Sequence, residues 1–151
     1  MSGESRESAY LQALAQSDID ATSKAAVHVL LDSFPHAEST KVYWAWGANA
    51  ILVLPELLPR RGLCALTRNG DLELYFGYWS ADDYKDIGTE QIAAVNQFAT
   101  GLEGLLGISF SEAQRSKFPK VKLAQWAPKA GGLVALLRRV AGCPADASAA
   151  L

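Results

Sequence analysis

Three carboxylates near the middle of the chain, Glu56, Asp71 and Glu73, are the residues best suited to metal-dependent chemistry. Acidic side chains on adjacent strands can hold a divalent ion that activates a water molecule. Only one residue separates Asp71 from Glu73, so on a strand both side chains would point to the same face. The later position at which such nucleases often carry a lysine is Tyr75 here. The three carboxylates are therefore the catalytic residues of an alternative hypothesis, a divergent metal-dependent nuclease, and we assign no metal ligands.

Motifs for nucleophilic catalysis and for phosphate binding are missing from the sequence. It contains no Gly-x-Ser-x-Gly elbow, no P-loop and no dinucleotide-binding glycine pattern. No motif places a Ser, Cys or carboxylate beside His28 or His36. Cys64 and Cys143 form no metal-ligand cluster, and the apolar neighbours of Cys64 predict a buried, unreactive thiol. We therefore expect no cofactor and favour a protein that is not an enzyme.

Aromatic and basic residues offer a binding chemistry instead. Trp44 and Trp46 would share one face of a strand, and Tyr75 would share a face of another strand with Trp79. If those strands adjoin, the four rings form a patch that stacks on bases or a flat ligand, whereas burial against helices makes them core. Basic side chains beside the patch would contact phosphates. The predicted binding residues are Trp44, Trp46, Tyr75, Trp79, Lys120 and Lys122, and further basic candidates are Lys117, Arg138 and Arg139.

Composition and charge limit the class of protein. The chain has 151 residues, half of them apolar, which suits one domain with a core that needs no disulfides or structural metal. The net charge of -2 argues against a strongly electrostatic nucleic-acid binder. Residues 1–100 carry 7 basic and 13 acidic side chains (-6) and residues 101–151 carry 7 and 3 (+4), which indicates a basic C-terminal face. The polar N-terminus and short apolar runs predict a cytoplasmic protein with no membrane partner.

In the N-terminal part of the chain, the sequence predicts two helices followed by the first strands of a sheet. Apolar spacing predicts helices over residues 4–16 and 17–34. Residues that favour strands then predict a strand pair over 41–46 and 50–54. Prolines and arginines in the stretch 55–62 interrupt the pattern before the central hairpin.

The clearest local signal is the pair Asn69-Gly70 between two apolar runs. These residues readily take the positive φ angles of a tight turn, so Leu63–Thr67 and Asp71–Tyr78 are predicted to pair antiparallel. Alternation along the second strand then divides its side chains between the core and the opposite face. The core set is Leu72, Leu74, Phe76 and Tyr78, and the opposite set is Asp71, Glu73, Tyr75, Gly77 and Trp79.

The C-terminal half predicts packing helices. A polar loop after Ser80 precedes a leucine-rich helix over 89–107, and an extended segment, FPKVKLAQW, precedes a helix over 128–140. The chain is therefore predicted to be α+β, with N-terminal helices, a three- to four-stranded antiparallel meander and C-terminal packing helices. A single domain would span residues 1–141, and residues 142–151 would form a flexible tail.

The order of several motifs resembles an uncharacterised bacterial domain. These motifs, within about residues 25–141, are VYWAWG after a helix, the strand pair in TRNGDLELYF, a leucine-rich helix and FPKVKL before a terminal helix. That domain occurs chiefly as a C-terminal module of larger proteins, some of them associated with restriction or DNA processing. The present chain differs in standing alone and in a longer polar insert, SADDYKDIGT.

From the charge asymmetry and the resemblance we predict a non-enzymatic interaction module in a bacterial nucleic-acid-processing or defence context. Its partner would be a nucleic acid or a protein. The alternatives are the metal-dependent nuclease and a purely protein-binding immunity or assembly factor. Exposure of Trp44, Trp46 and Trp79 beside the lysines would distinguish a binding site from a core.

Overall fold

Helices precede and follow the strands of the sheet along the chain, which is the α+β arrangement predicted from the sequence. The computed structural model describes residues 3–34, 41–79 and 88–142. Within these ranges five strands form one antiparallel sheet, in which strands consecutive along the chain are neighbours. The sequence predicted three or four, and the additional strand is the Lys-Val pair of the FPKVKL segment. The strands are β1 (Tyr43–Trp46), β2 (Ala50–Leu54), β3 (Leu58–Leu66), β4 (Leu72–Leu74) and β5 (Lys120–Val121).

The helices begin and end where local chemistry favours it. They are α1 (Gly3–Gln16), α2 (Ala21–Asp32), α3 (Thr89–Leu106), α4 (Leu123–Trp126) and α5 (Ala130–Val140). The Asp20 side chain accepts a hydrogen bond of 2.8 Å from the Ser23 N–H, which satisfies one free donor at the start of α2. α3 is followed by Gly107, whose φ of 68° is the left-handed conformation common after helices.

The predicted hairpin is present as β3 and β4, with Leu66 opposite Leu72. In its turn Gly70 has a φ of 83° and donates its N–H to the Thr67 carbonyl at 2.9 Å. β4 ends at Leu74 rather than at Tyr78, because residues Phe76–Trp79 form a 3-10 turn. The predicted alternation of half-buried and buried side chains therefore holds from Asp71 to Phe76 and fails at Gly77, Tyr78 and Trp79.

One face of the sheet forms the core with the helices. The indole N–H of Trp44 donates to the Leu30 carbonyl at 3.1 Å, which places α2 over this face. The other face carries half-buried apolar side chains, among them Ile51 and Val53. Buried side chains on the core face include Trp44, Leu52, Cys64, Leu66, Leu72, Leu74 and Val121.

Some predictions fall outside the described residues. These are the polar loop after Ser80, the tail after Gly142 with Cys143, and the loop position of His36. None of the helices in the described ranges combines the length and the apolar character required to cross a membrane.

Candidate functional site

The pair of strands β4 and β5 brings most of the predicted polar site residues together. Glu73 lies opposite Lys120 in the antiparallel register. The pairing continues toward the 3-10 turn, since the Leu74 N–H donates to the Pro119 carbonyl at 2.8 Å. Alternate residues share a face, so three cross-strand pairs stand in a row on the half-buried face of the sheet. We call this row the β4–β5 ladder: Asp71 with Lys122, Glu73 with Lys120, and Tyr75 with Phe118.

At one end of the ladder a carboxylate has a structural role. Asp71 Oδ2 lies 3.4 Å from Lys122 Nζ, and Asp71 Oδ1 accepts a hydrogen bond of 3.1 Å from the Leu123 N–H. The Asp71 side chain is 17% exposed, whereas that of Lys122 is 70% exposed. Asp71 thus satisfies an N–H in the first turn of α4 and ties that helix to the hairpin.

At the other end of the ladder three aromatic rings meet, and we call Tyr75, Tyr78 and Phe118 the aromatic cluster. Ring centroids are 5.0 Å apart for Tyr75 and Tyr78, 4.8 Å for Tyr78 and Phe118, and 6.1 Å for Tyr75 and Phe118. All three contacts are edge-to-face, the arrangement that ring quadrupoles favour. Phe118 is 40% exposed, so the cluster presents aromatic surface to solvent.

The phenol of Tyr75 stays neutral in this environment. Burial, with a smaller contribution from the Glu73 carboxylate, raises the pKa of Tyr75 to about 12. The hydroxyl is therefore protonated at neutral pH and adds no negative charge to the cluster.

Two lysines lie on either side of Phe118 in the chain. Lys117 and Lys120 are exposed, and in the described part of the chain neither forms a salt bridge. The Lys117 carbonyl accepts a hydrogen bond of 2.8 Å from the Gly77 N–H, which fixes this segment beside the 3-10 turn. The cluster thus combines exposed aromatic surface with two exposed lysines, of which Lys120 stands opposite Glu73.

The predicted four-ring patch is wrong in its tryptophans. Trp44 is 2% and Trp79 4% exposed, and both belong to the core. Trp79 donates its indole N–H to the Gly62 carbonyl at 3.1 Å because the 3-10 turn directs the ring inward. Trp46 is half-buried and contacts Tyr10 edge-to-face at 5.4 Å, on the core face of the sheet. Only Tyr75 of the predicted patch lies in the aromatic cluster.

The proposed nuclease carboxylates do not form one group. Glu56 is exposed in the turn after β2, beyond Leu54, whereas Asp71 lies beyond the opposite end of β2, where Ala50 pairs with Leu66. At about 3.3 Å per residue, the ends of β2 are about 13 Å apart. Within the ranges described, no three His, Cys, Asp or Glu side chains come together in a way that could hold a metal ion. The three carboxylates therefore do not make a shared metal site.

The remaining reactive or basic candidates lie elsewhere. Cys64 is fully buried, and desolvation raises the pKa of its thiol far above the ordinary range, as expected for an unreactive cysteine. His28 is exposed on α2. Arg138 and Arg139 lie in the last turn of α5, with Arg138 Cζ 6.0 Å from the Phe34 ring centroid. These arginines belong to the helical layer and not to the β4–β5 ladder.

Sequence reasoning missed two members of the aromatic cluster. Tyr78 was assigned to the core because the strand was expected to continue through it, and Phe118 was not considered as a site residue. The usable signal was the alternation of Phe118, Lys120 and Lys122 in the extended FPKVKL segment, which puts one ring and two cations on the same face.

Comparison with protein-family models, curated proteins and solved structures finds no match to this chain.

Proposed function

We propose that this protein is a non-enzymatic interaction module that binds nucleic acid through the aromatic cluster and the adjacent Lys117 and Lys120. The observation that carries the proposal is the position of Phe118, 40% exposed, between these two exposed lysines in the chain. Aromatic rings stack on bases and lysine ammonium groups contact phosphates, so this combination suits a nucleic acid. A bacterial nucleic-acid-processing or defence context fits the motif resemblance.

The charges near the site favour binding over catalysis. Asp71 accepts hydrogen bonds from the Leu123 N–H and from Lys122, so its oxygens already have partners. Glu73 lies opposite Lys120, and the positive charge of the lysine disfavours a divalent metal ion at that carboxylate. We therefore assign structural rather than catalytic roles to Asp71 and Glu73.

Binding is tested by fluorescence anisotropy with a labelled oligonucleotide over a range of NaCl concentrations. We expect the binding constant to fall as the NaCl concentration rises. The slope of its logarithm against the logarithm of the salt concentration should become less negative by about 1.4–1.8 when Lys117→Ala and Lys120→Ala are combined, because two phosphate contacts are lost. The matched control combines Lys129→Ala with Arg139→Ala, which removes the same charge at exposed positions outside the ladder. Absence of binding, or equal slopes for both double variants, would refute the proposal.

A protein partner is the second candidate, and the half-buried sheet face favours it. Ala45, Ile51 and Val53 lie side by side on the same face as the ladder and are only half-buried. Partly exposed apolar side chains that lie together suit a protein interface, as an immunity or assembly factor would need. Co-expression with the product of a neighbouring gene should give a complex that Ile51→Asp disrupts and Phe118→Ala retains. The reverse pattern would exclude this face as the interface.

A further inference from the structure

We infer that the aromatic cluster selects single-stranded over double-stranded nucleic acid, with unpaired bases stacked on Phe118 and phosphates beside Lys117 and Lys120. This inference rests on the proposed function, because it names the class of nucleic acid that the same site takes. Three features of the site support it: the ring arrangement, the sparse positive charge and the fixed backbone.

The ring arrangement suits an unstacked base. The three rings meet edge-to-face, and Phe118 is the most exposed of them, with the half-buried Tyr75 and Tyr78 against it. A base in a duplex is already stacked on both sides, so only an unpaired base can place its flat surface on a protein ring. The exposed Phe118 ring can therefore stack chiefly on the unpaired bases of a single strand.

The charge of the site is too small for a duplex binder. On the ladder Lys122 is paired with Asp71 at 3.4 Å, and Lys120 stands opposite Glu73. A duplex binder needs many phosphate contacts, and two exposed lysines supply only two. With Lys117 and Lys120 as the two phosphate contacts, a single strand should show a log–log salt slope of only about -1.4.

The backbone that carries the site is held in place. The Pro119 carbonyl accepts from the Leu74 N–H and the Lys117 carbonyl from the Gly77 N–H, each at 2.8 Å. Residues on both sides of Phe118 are thus attached to β4 and its 3-10 turn. A ring presented on a fixed backbone loses little conformational entropy when a base stacks on it.

The test compares two anisotropy probes with the full chain: a labelled DNA strand of mixed sequence without self-complementarity, and the same strand annealed to its complement, with a length that keeps the duplex paired at the assay temperature and salt. We expect the single strand to bind at least about tenfold more tightly. Phe118→Ala should weaken single-strand binding by about 5- to 150-fold, the range seen when a stacking residue is truncated. The control is Val29→Ala, which shortens another exposed apolar side chain (48%) on α2 and should leave the affinity unchanged.

The outcomes separate this inference from the function on which it rests. Equal or tighter duplex binding overturns the single-strand inference and leaves nucleic-acid binding intact. No binding of either probe overturns both. Unchanged single-strand affinity in Phe118→Ala, with a melting temperature equal to that of the unaltered protein, overturns the stacking role of Phe118. Unchanged single-strand affinity in Phe118→Leu would also overturn the stacking role, because leucine keeps apolar bulk without a ring.

Discussion

Each of three buried tryptophans gives its indole N–H to a main-chain carbonyl. Trp44 donates to Leu30, Trp79 to Gly62 and Trp126 to Gly70, at 3.1, 3.1 and 2.8 Å. A buried N–H without an acceptor is costly, so these bonds are a condition for placing the rings in the core. Each bond also joins segments that are distant in sequence, and the tryptophans therefore act as cross-links of the fold.

Replacing Trp126 by Phe tests this role. The substitution keeps a buried aromatic ring but leaves the Gly70 carbonyl without its indole donor, which should lower the free energy of unfolding by about 1–3 kcal/mol. Trp46→Phe is the control, because Trp46 is half-buried and its indole forms no hydrogen bond in the ranges described. Denaturant titration of both variants would contradict the argument if Trp46→Phe were the more destabilising.

The thiol of Cys64 should be inert in the folded protein. It is completely buried, and desolvation raises its pKa, so both access and the thiolate fraction are low. In a Cys143→Ser background we expect reaction with a thiol reagent at pH 8 to be about a hundredfold or more slower in the native than in the denatured protein. Similar rates in the two states would show that Cys64 is accessible.

At the scale of elements, the β3–β4 hairpin and α4 depend on each other at Gly70. Its φ of 83° is accessible to glycine, and a Cβ at this position would lie 2.7 Å from Leu123 Cδ2. Asp71 accepts from the Leu123 N–H, and Trp126 donates to the Gly70 carbonyl. The turn is therefore shaped both by its own residues and by the helix packed against it.

Gly70→Ala should lower the free energy of unfolding by about 1–3 kcal/mol, because alanine is strained at this φ and its methyl group is too close to Leu123. Gly104→Ala is the control. It lies within α3 with no atom near the added methyl group, so it should stabilise by about 0.5–1 kcal/mol. Thermal or denaturant unfolding measures both, and a neutral Gly70→Ala would show that the turn and α4 can move apart.

Local patterns were sufficient for some elements and insufficient for others. Asn69-Gly70 predicts its hairpin because the turn conformation depends on neighbouring residues. The end of β4 was misplaced because the apolar pattern continues through Tyr78, while the backbone turns at Phe76 and buries Trp79. β5 is two residues long, and its segment was predicted to be extended but not to join the sheet, because that depends on pairing with β4.

At the scale of the whole molecule, the sheet separates the carboxylates that sequence had grouped. Glu56 and Asp71 lie beyond opposite ends of β2, whose ends are about 13 Å apart. Adding Mg²⁺ or Mn²⁺ should therefore leave the melting temperature unchanged relative to EDTA, since a site that binds metal in the folded state would raise it. A rise that Glu73→Ala removes would contradict this reading and revive the nuclease alternative.

Periodicity and turn chemistry are local properties, so the sequence was sufficient to predict α1, α2, α3, α5, the β3–β4 hairpin and the α+β class, whereas α4 lies in a segment predicted to be extended. Only the tertiary structure decided which aromatic rings face solvent and which charges meet. Asp71 and Lys122 are 51 residues apart in the chain, and their contact depends on β5 pairing with β4. Trp79 is buried, with its indole N–H bonded to the Gly62 carbonyl of β3, while Phe118 remains exposed. Burial of a ring depends on distant neighbours, which residue spacing does not specify.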